Sequence, residues 1–242
     1  QRLPFVLDFD DAIYLPAVSA ANAAFAWLKD PGKTGRLCRL ARRVMVGNET
    51  LEAWAAPRAR AVDVVPSTID TGVYLPRRPT PGEARRLPVI GWTGSATTVP
   101  YLEELAPALL RLRRQRPFEL RVIGGEARLP PELEARLVPW SAATEVAELQ
   151  PLDVGLMPLR DDEWSRGKCG MKALQYMALG IPPVVAPVGV NATLVRHGQN
   201  GLHARSEDEW VEALRRLLDE PALRARLGAD ARRTVEAAYS AA

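Results

Sequence analysis

The run Arg166-Gly167-Lys168-Cys169-Gly170-Met171-Lys172-Ala173-Leu174-Gln175-Tyr176-Met177-Ala178-Leu179-Gly180-Ile181-Pro182-Pro183-Val184-Val185-Ala186-Pro187-Val188-Gly189-Val190-Asn191 decides how this chain folds. Its middle predicts a helix over Met171–Leu179 that stops at Gly180, where a glycine can end it. A buried strand, Val184–Ala186, follows at once. Ahead of the helix, Gly167 and Gly170 let backbone come close to a ligand. The start of the helix offers free N–H groups and a positive dipole end, which suits phosphate. Lys168 and Lys172 lie one turn apart and can add charge. On these residues alone, an ordinary loop with solvated lysines is the competing reading, because a short Gly/Lys pattern has low specificity.

Outward from this run, short apolar segments alternate with longer amphipathic ones. Strands are expected at Phe5–Phe9, Val44–Val46, Val62–Val65, Val89–Trp92, Leu120–Ile123 and Val154–Met157. Several are almost wholly apolar, as parallel strands covered on both faces are. The alternation is that of an α/β protein with parallel sheets. Leu102, Leu105, Leu109 and Leu112 repeat at helical spacing, with Thr98 as N-cap and Pro107 forcing a kink or a late start. Ser206-Glu207-Asp208-Glu209 predicts a capping box. Pro221 opens a further helix that reaches Tyr239, with a break expected near Gly228. Arg160–Ser165 reads as a polar loop.

The 242 residues are enough for one large domain or two small ones. A hydrophobic share of 47% with 25% charged residues fits a globular chain. No stretch reaches the ~20 unbroken apolar residues of a membrane span. The first residues read as a strand, not a signal peptide, and with only two cysteines a reducing cytoplasm is the default expectation. Cys38 and Cys169 are the only cysteines, and neither they nor His197 and His203 have metal-ligand spacing. Net charge is only +3, which fits solvated Arg faces or anionic ligands. Between Tyr74 and Pro88, prolines, a glycine and arginines crowd out apolar residues, which predicts a linker.

Lys172-Ala173-Leu174-Gln175-Tyr176-Met177-Ala178-Leu179-Gly180-Ile181-Pro182-Pro183-Val184-Val185 resembles the K-x-x-E-Y-x-A-x-G-x-P-V-V signature of nucleotide-sugar glycosyltransferases with the GT-B fold. The resemblance is to the family-4-like, retaining branch, the glycosyl transferases of group 1. Four further pieces are similar to that family and stand in its order. They are Val46–Leu51 (V-x-G-N-x-x-L), Val65–Asp70 (I-P-N-G-I-D), Ile90–Ser95 with its glycine loop, and the His197–Leu202 hairpin (H-G-x-N-G-L).

The resemblance implies two Rossmann-like domains with parallel sheets, the N-terminal one incomplete. Residues 1–75 would be the partial acceptor-side domain and 76–88 the linker. Residues 89–225 would bind the nucleotide sugar, and 226–242 would be a C-terminal helix that can pack back on the N-terminal domain. Because the chain opens directly into a strand without an initiator Met, the resemblance reads it as amino-terminally truncated.

The family's roles carry over residue by residue. Gly94 and Ser95 stand where a glycine loop lies over the diphosphate. The family's paired glutamates, eight apart, fall on Gly167 and Gln175. A Gln175 amide can still bond ribose hydroxyls, whereas Gly167 offers no carboxylate. A basic pair often follows the glycine loop in the family, but Ala96-Thr97-Thr98 offers none. Lys168 and Lys172, with the Gly170 backbone, stand in for that charge at the phosphates, and Asn191 reaches the donor sugar or makes a turn. Asp8, Asp10 and Asp11 close the first strand, at the end where parallel sheets bind ligands. One of them orients or deprotonates an acceptor hydroxyl, or caps a helix. Trp92 and Trp140 are core or pocket wall, where either can stack on a base.

The implied activity is transfer of a sugar from a nucleoside-diphosphate sugar (UDP or GDP) to an acceptor hydroxyl, without metal or other cofactor and with retention. It implies a place in polysaccharide or cell-envelope synthesis. Expected partners are the donor and a glycan, lipid-linked or small-molecule acceptor, with peripheral association at the inner membrane face but no nucleic acid. A nucleotide-sugar epimerase of the same fold and a non-catalytic nucleotide-binding fragment are the alternatives.

Overall fold

The computed structural model describes residues 4–16, 30, 32–77 and 87–241. Residues 78–86, most of the stretch read as a linker over 76–88, lie outside these. In chain order the first elements are β1 (Val6–Phe9), α1 (Gly32–Leu40), β2 (Arg43–Val46), α2 (Glu49–Ala55) and β3 (Val62–Val64). Then come β4 (Val89–Gly94), α3 (Val99–Glu104), α4 (Ala106–Arg113), β5 (Glu119–Gly124), β6 (Arg136–Val138), α5 (Glu145–Leu149) and β7 (Val154–Met157). The remainder is α6 (Glu163–Arg166), α7 (Met171–Ala178), β8 (Pro183–Val185), α8 (Asn191–Leu194), β9 (Leu202–His203), α9 (Glu207–Asp219) and α10 (Pro221–Ala238). Among the described residues no helix is long and apolar enough to cross a membrane.

The chain forms two compact units. Unit 1 is Gln1–Ser67 with Asp161–Gly170 and Val188–Val190; unit 2 is Thr68–Arg160, Met171–Pro187 and Asn191–Ala242. The short segments Asp161–Gly170 and Val188–Val190 thus cluster with unit 1, although they lie within the range 89–225.

Unit 1 holds a parallel sheet in the order β1-β2-β3, with Phe9 opposite Val46 and Val46 opposite Val64. Its core gathers Phe9, Val44, Val46, Leu51 and Cys38, and Tyr14 stacks on Trp54 with ring centroids 4.0 Å apart. Asn48 caps α2 by accepting from the Leu51 N–H at 3.0 Å. Its buried amide also donates to the carbonyls of Gly167 (2.9 Å) and Lys168 (3.2 Å), which ties the 161–170 segment to the β2–α2 turn.

Unit 2 is a six-stranded sheet in the order β6-β5-β4-β7-β8-β9, every pair parallel. This is the 3-2-1-4-5-6 order of a doubly wound Rossmann-like sheet. The central strands β4 and β7 are buried almost throughout, in keeping with their apolar sequences. β6 and β9, which were not expected, are three and two residues long and lie at the two edges, where short strands limit unwanted pairing. Leu137 in β6 is exposed, so no apolar periodicity announces that strand.

The interruption expected at Pro107 is present, and three other local expectations change. Residues 99–113 break into α3 and α4 at Leu105, and Pro107 sits in the first turn of α4, where its missing N–H costs nothing. The polar loop Arg160–Ser165 contains α6, capped by Asp162. α10 runs unbroken through Gly228. Gly228 is instead a point of close approach: a Cβ there would lie 2.1 Å from the carbonyl oxygen of Gly180, the left-handed residue (φ +70°) that ends α7. α10 therefore packs on α7 within unit 2. The capping box at Ser206 forms as expected and starts α9. The hairpin expected at His197–Leu202 is instead a tight turn closed by an isolated His197–Gly201 bridge, because the chain leaves it as β9 to pair in parallel with β8.

At the centre of unit 2, β4 and β7 pair only at Ile90–Val154 and Gly91–Gly155. Beyond that point the fully buried Tyr176 of α7 takes over. Its hydroxyl accepts from the Thr93 N–H at 3.0 Å and donates to the Leu156 carbonyl at 3.3 Å. Gly155 must lack a side chain, because a Cβ would lie 2.3 Å from the Tyr176 ring. Tyr176→Phe leaves a buried N–H without its acceptor, so it should cost about 1–3 kcal/mol in urea unfolding. Gly155→Ala should cost a similar ~1–3 kcal/mol by overpacking. Wild-type midpoints for both variants would show that Tyr176 does not bridge the strands.

Candidate functional site

The order of the unit 2 sheet reverses between β4 and β7, and ligands of doubly wound sheets bind beyond the strand ends at such a point. A cavity of about 660 Å3 lies there. Gly94-Ser95 at the end of β4 and Gly124-Gly125 at the end of β5 line one side, Pro139-Trp140 and Glu145 another, and Met171, Lys172 and Gln175 of α7 the third. That volume suits a ligand of nucleotide size.

Glycine is required on the first side. Gly124 has φ +105°, and a Cβ on it would lie 2.1 Å from the Gly94 carbonyl oxygen. The Gly125 N–H donates to that same carbonyl at 2.8 Å, and a Cβ on Gly94 would lie 2.5 Å from the Trp92 ring. The two strand-end loops are thus locked backbone to backbone, which leaves main chain as the cavity floor. Thr98 does not cap α3 through its side chain; its hydroxyl donates to the Ser95 carbonyl at 3.1 Å and closes the loop.

Gly170, with φ +77°, turns the chain into α7. The first turn of that helix presents Met171 and Lys172 to the cavity, at the end where the helix dipole is positive. The Lys172 ammonium lies 5.7 Å from the centre of the Trp92 ring, a cation–π distance.

Three lining residues, Trp140, Glu145 and Gln175, are joined by a chain of hydrogen bonds that runs through Tyr74. The exposed Trp140 donates its indole N–H to Glu145 Oε1 at 2.7 Å. The Tyr74 hydroxyl donates to Glu145 Oε2, and the Gln175 amide donates to the Tyr74 oxygen at 3.3 Å. Burial, reinforced by the Glu145 carboxylate, pushes the Tyr74 phenol up to about 12.

Of the residues expected at the site, Gly94, Ser95, Lys172 and Gln175 line this one cavity. Asn191 does not line it. It is fully buried at the start of α8, where its amide donates to the Ala186 carbonyl at 3.3 Å and its Oδ1 is buried without a hydrogen-bond partner among the described residues. Lys168, Asp8, Asp10 and Asp11 belong to unit 1, as does Gly170. There Lys168 lies 3.5 Å from Asp11 Oδ1 and 5.1 Å from the centre of the Trp164 ring. Asp8 and Asp10 are exposed. The Asp10 carbonyl accepts from the Cys169 thiol at 3.0 Å, and burial first of all pushes that thiol up to about 11.

Gly167 has a steric reason to be glycine. A Cβ there would lie 2.8 Å from the Ala12 Cβ, so a glutamate cannot enter without moving the β1 loop. Sequence reasoning missed Tyr74, Glu145, Gly125 and the dual role of Asn48. Tyr74 and Glu145 lie in stretches without periodicity, and only contact across 71 residues of chain makes them partners. Among the described residues no three His, Cys, Asp or Glu side chains are placed to hold a metal ion.

Comparison with known proteins gives the family. Residues 87–220, more than half of the chain, match the family model described as "Glycosyl transferases group 1". A D-inositol 3-phosphate glycosyltransferase of Stackebrandtia nassauensis is 32% identical over 203 residues, 70% of this chain and 44% of the relative. Its counterpart from Thermobispora bispora is 26% identical over 220 residues, 79% of this chain and 50% of the relative. The chain thus spans about half the length of these curated relatives. Among solved structures, Anabaena HepE in complex with UDP and glucose superposes with a TM-score of 0.72 at 17% identity, over 98% of this chain and 68% of its own. Sucrose-phosphate synthase of Thermosynechococcus elongatus gives 0.69 at 16% identity, over 97% and 63%. The fold is that of the GT-B glycosyltransferases, and the chain belongs to the glycosyl transferases group 1 family.

Proposed function

We propose that the cavity beyond β4 and β7 binds a nucleoside-diphosphate sugar, and that the protein transfers the sugar to an acceptor hydroxyl with retention. The observation that carries this reading is the meeting, at the sheet's switch point, of a glycine-built backbone floor with the start of α7 and Lys172. Backbone donors, a helix N-terminus and an ammonium together suit a diphosphate.

In the transfer, the bond from the anomeric carbon to the phosphate oxygen breaks and a bond to the acceptor oxygen forms. The nucleoside diphosphate leaves, and the acceptor's proton passes to the departing phosphate. Charge grows on the diphosphate as it departs, so Lys172 and the α7 N–H groups act more strongly there than on the resting donor. Trp140 supplies a flat face for the base. Gln175 supplies an amide for the ribose. For the acceptor hydroxyl, Asp8 and Asp10 are exposed carboxylates, and Asp11 is held by Lys168. No metal is required on this reading.

A second reading, nucleotide binding without transfer, is favoured by Gly167, whose packing on Ala12 leaves no room for a carboxylate at that place. Labelled donor separates the alternatives: glycosylated acceptor supports transfer, free epimerised donor supports an epimerase, and neither supports binding alone.

UDP is the first nucleotide to test, because HepE was solved with UDP and with UDP-glucose. Calorimetry with UDP, GDP and ADP should show binding of at least one, insensitive to EDTA. Lys172→Ala should weaken it about 10- to 100-fold, the worth of ~1.5–3 kcal/mol for a charged hydrogen bond. No binding of any of the three at millimolar concentration would overturn the donor-site reading.

A further inference from the structure

We propose that Glu145 is a positioning residue that sets both the base wall and the ribose contact of the cavity, through Trp140 on one side and Tyr74 and Gln175 on the other. The proposal rests on the nucleotide reading above.

A carboxylate only accepts hydrogen bonds. Glu145 uses one oxygen for the Trp140 indole N–H and the other for the Tyr74 hydroxyl. The first bond gives an exposed aromatic ring, 55% accessible, a fixed setting at the cavity edge. The second bond fixes the direction of a proton chain. Because Tyr74 must donate to Glu145, only its lone pairs face Gln175. Gln175 must therefore turn its NH2 toward Tyr74, at 3.3 Å. Its carbonyl oxygen is then the end left for the cavity, and it is an acceptor. Ribose hydroxyls are donors, so the relay presents the right end of the amide to a ribose. If Glu145 were absent, Tyr74 could rotate its hydroxyl toward Gln175, and the amide could flip.

The placement of Tyr74 has its own support. The half-buried Arg232 of α10 donates to the carbonyls of Thr71, Tyr74 and Ala178, so the backbone of the Tyr74 turn is tied to the end of α7. Glu145 stands in the first turn of α5, a separate element. The relay thus joins three parts of unit 2 that have no sequence proximity.

The test compares Glu145→Ala, Glu145→Gln and Tyr74→Phe with wild type, using UDP, 2′-deoxy-UDP and inorganic pyrophosphate. Without ligand, acrylamide quenching of Trp140 (read by difference from Trp140→Phe) should rise in Glu145→Ala and stay unchanged in Tyr74→Phe. The Tyr74 absorbance step, read by difference from Tyr74→Phe, should fall from about pH 12 to lower pH in Glu145→Ala, because the carboxylate that raises it is gone. With ligand, Glu145→Ala should bind UDP about 5- to 30-fold more weakly, the effect of one to two hydrogen bonds. Pyrophosphate, which lacks base and ribose, should bind within about twofold of wild type. Tyr74→Phe should lose the preference for UDP over 2′-deoxy-UDP. Glu145→Gln, which keeps the shape and one acceptor, should fall between and guards against a folding defect in the alanine variant.

Wild-type binding of UDP with an unchanged UDP to 2′-deoxy-UDP ratio in Glu145→Ala and Tyr74→Phe would overturn this proposal and leave the donor site standing. Failure of wild type to bind any nucleotide would instead remove the donor-site reading itself.

Discussion

The hydroxyl of Tyr176 holds the middle of unit 2 together. Beyond Gly91–Gly155 the two central strands no longer pair, and the Thr93 N–H and Leu156 carbonyl are bridged through the Tyr176 oxygen. In a doubly wound sheet the ligand crevice lies beyond the strand ends at the switch point, and here the two central strands part on the way to it. Divergence exposes main-chain groups in a buried place, where an unpaired group is costly. Tyr176 removes that cost from below, on the side of α7, and leaves the space above free. The buried phenol is pushed well above its ordinary range, so it stays a neutral donor and acceptor.

The same helix that supplies the wedge supplies the cavity's Lys172 and Gln175, four residues or fewer from Tyr176. Packing of α7 therefore positions chemistry and sheet at once. Its end is fixed by Gly180 against Gly228 and by Arg232, whose guanidinium collects three carbonyls from two segments. Buried carbonyls need donors, and one planar guanidinium can serve several. A shift of α10 would thus be felt at Tyr74 and Gln175.

Unit 1 shows the same economy on a smaller scale. Asn48 caps α2 with its oxygen and holds residues 167–168 with its nitrogen, and Gly47 leaves room for the Cys169 sulfur, which a Cβ would approach to 2.2 Å. Gly167 lies against Ala12. These contacts explain why small residues cluster in the 167–170 loop, where charge and glycine spacing alone suggested phosphate binding.

By itself the sequence determined the class of fold and the elements on which the cavity is built. Apolar runs such as Val154–Met157, alternating with amphipathic stretches, read as strands covered on both faces, and the helix from Met171 carries its own start and a stop at Gly180. The helix start, a local feature, pointed to Lys172, and the family resemblance pointed to Gly94, Ser95 and Gln175, which line the same cavity. Edge strands β6 and β9 were not legible, since two or three residues at a sheet edge are held by neighbours and not by periodicity. Gly228 was misread as a break because a glycine in a helix looks the same whether it ends the helix or admits another backbone. Only the tertiary structure decided that Lys168 pairs with Asp11, that Asn191 is buried off the cavity, and that Tyr74, Trp140, Glu145 and Gln175 form one relay. Hydrogen bonds between side chains far apart in sequence depend on which elements meet. That follows from packing, which no local pattern encodes.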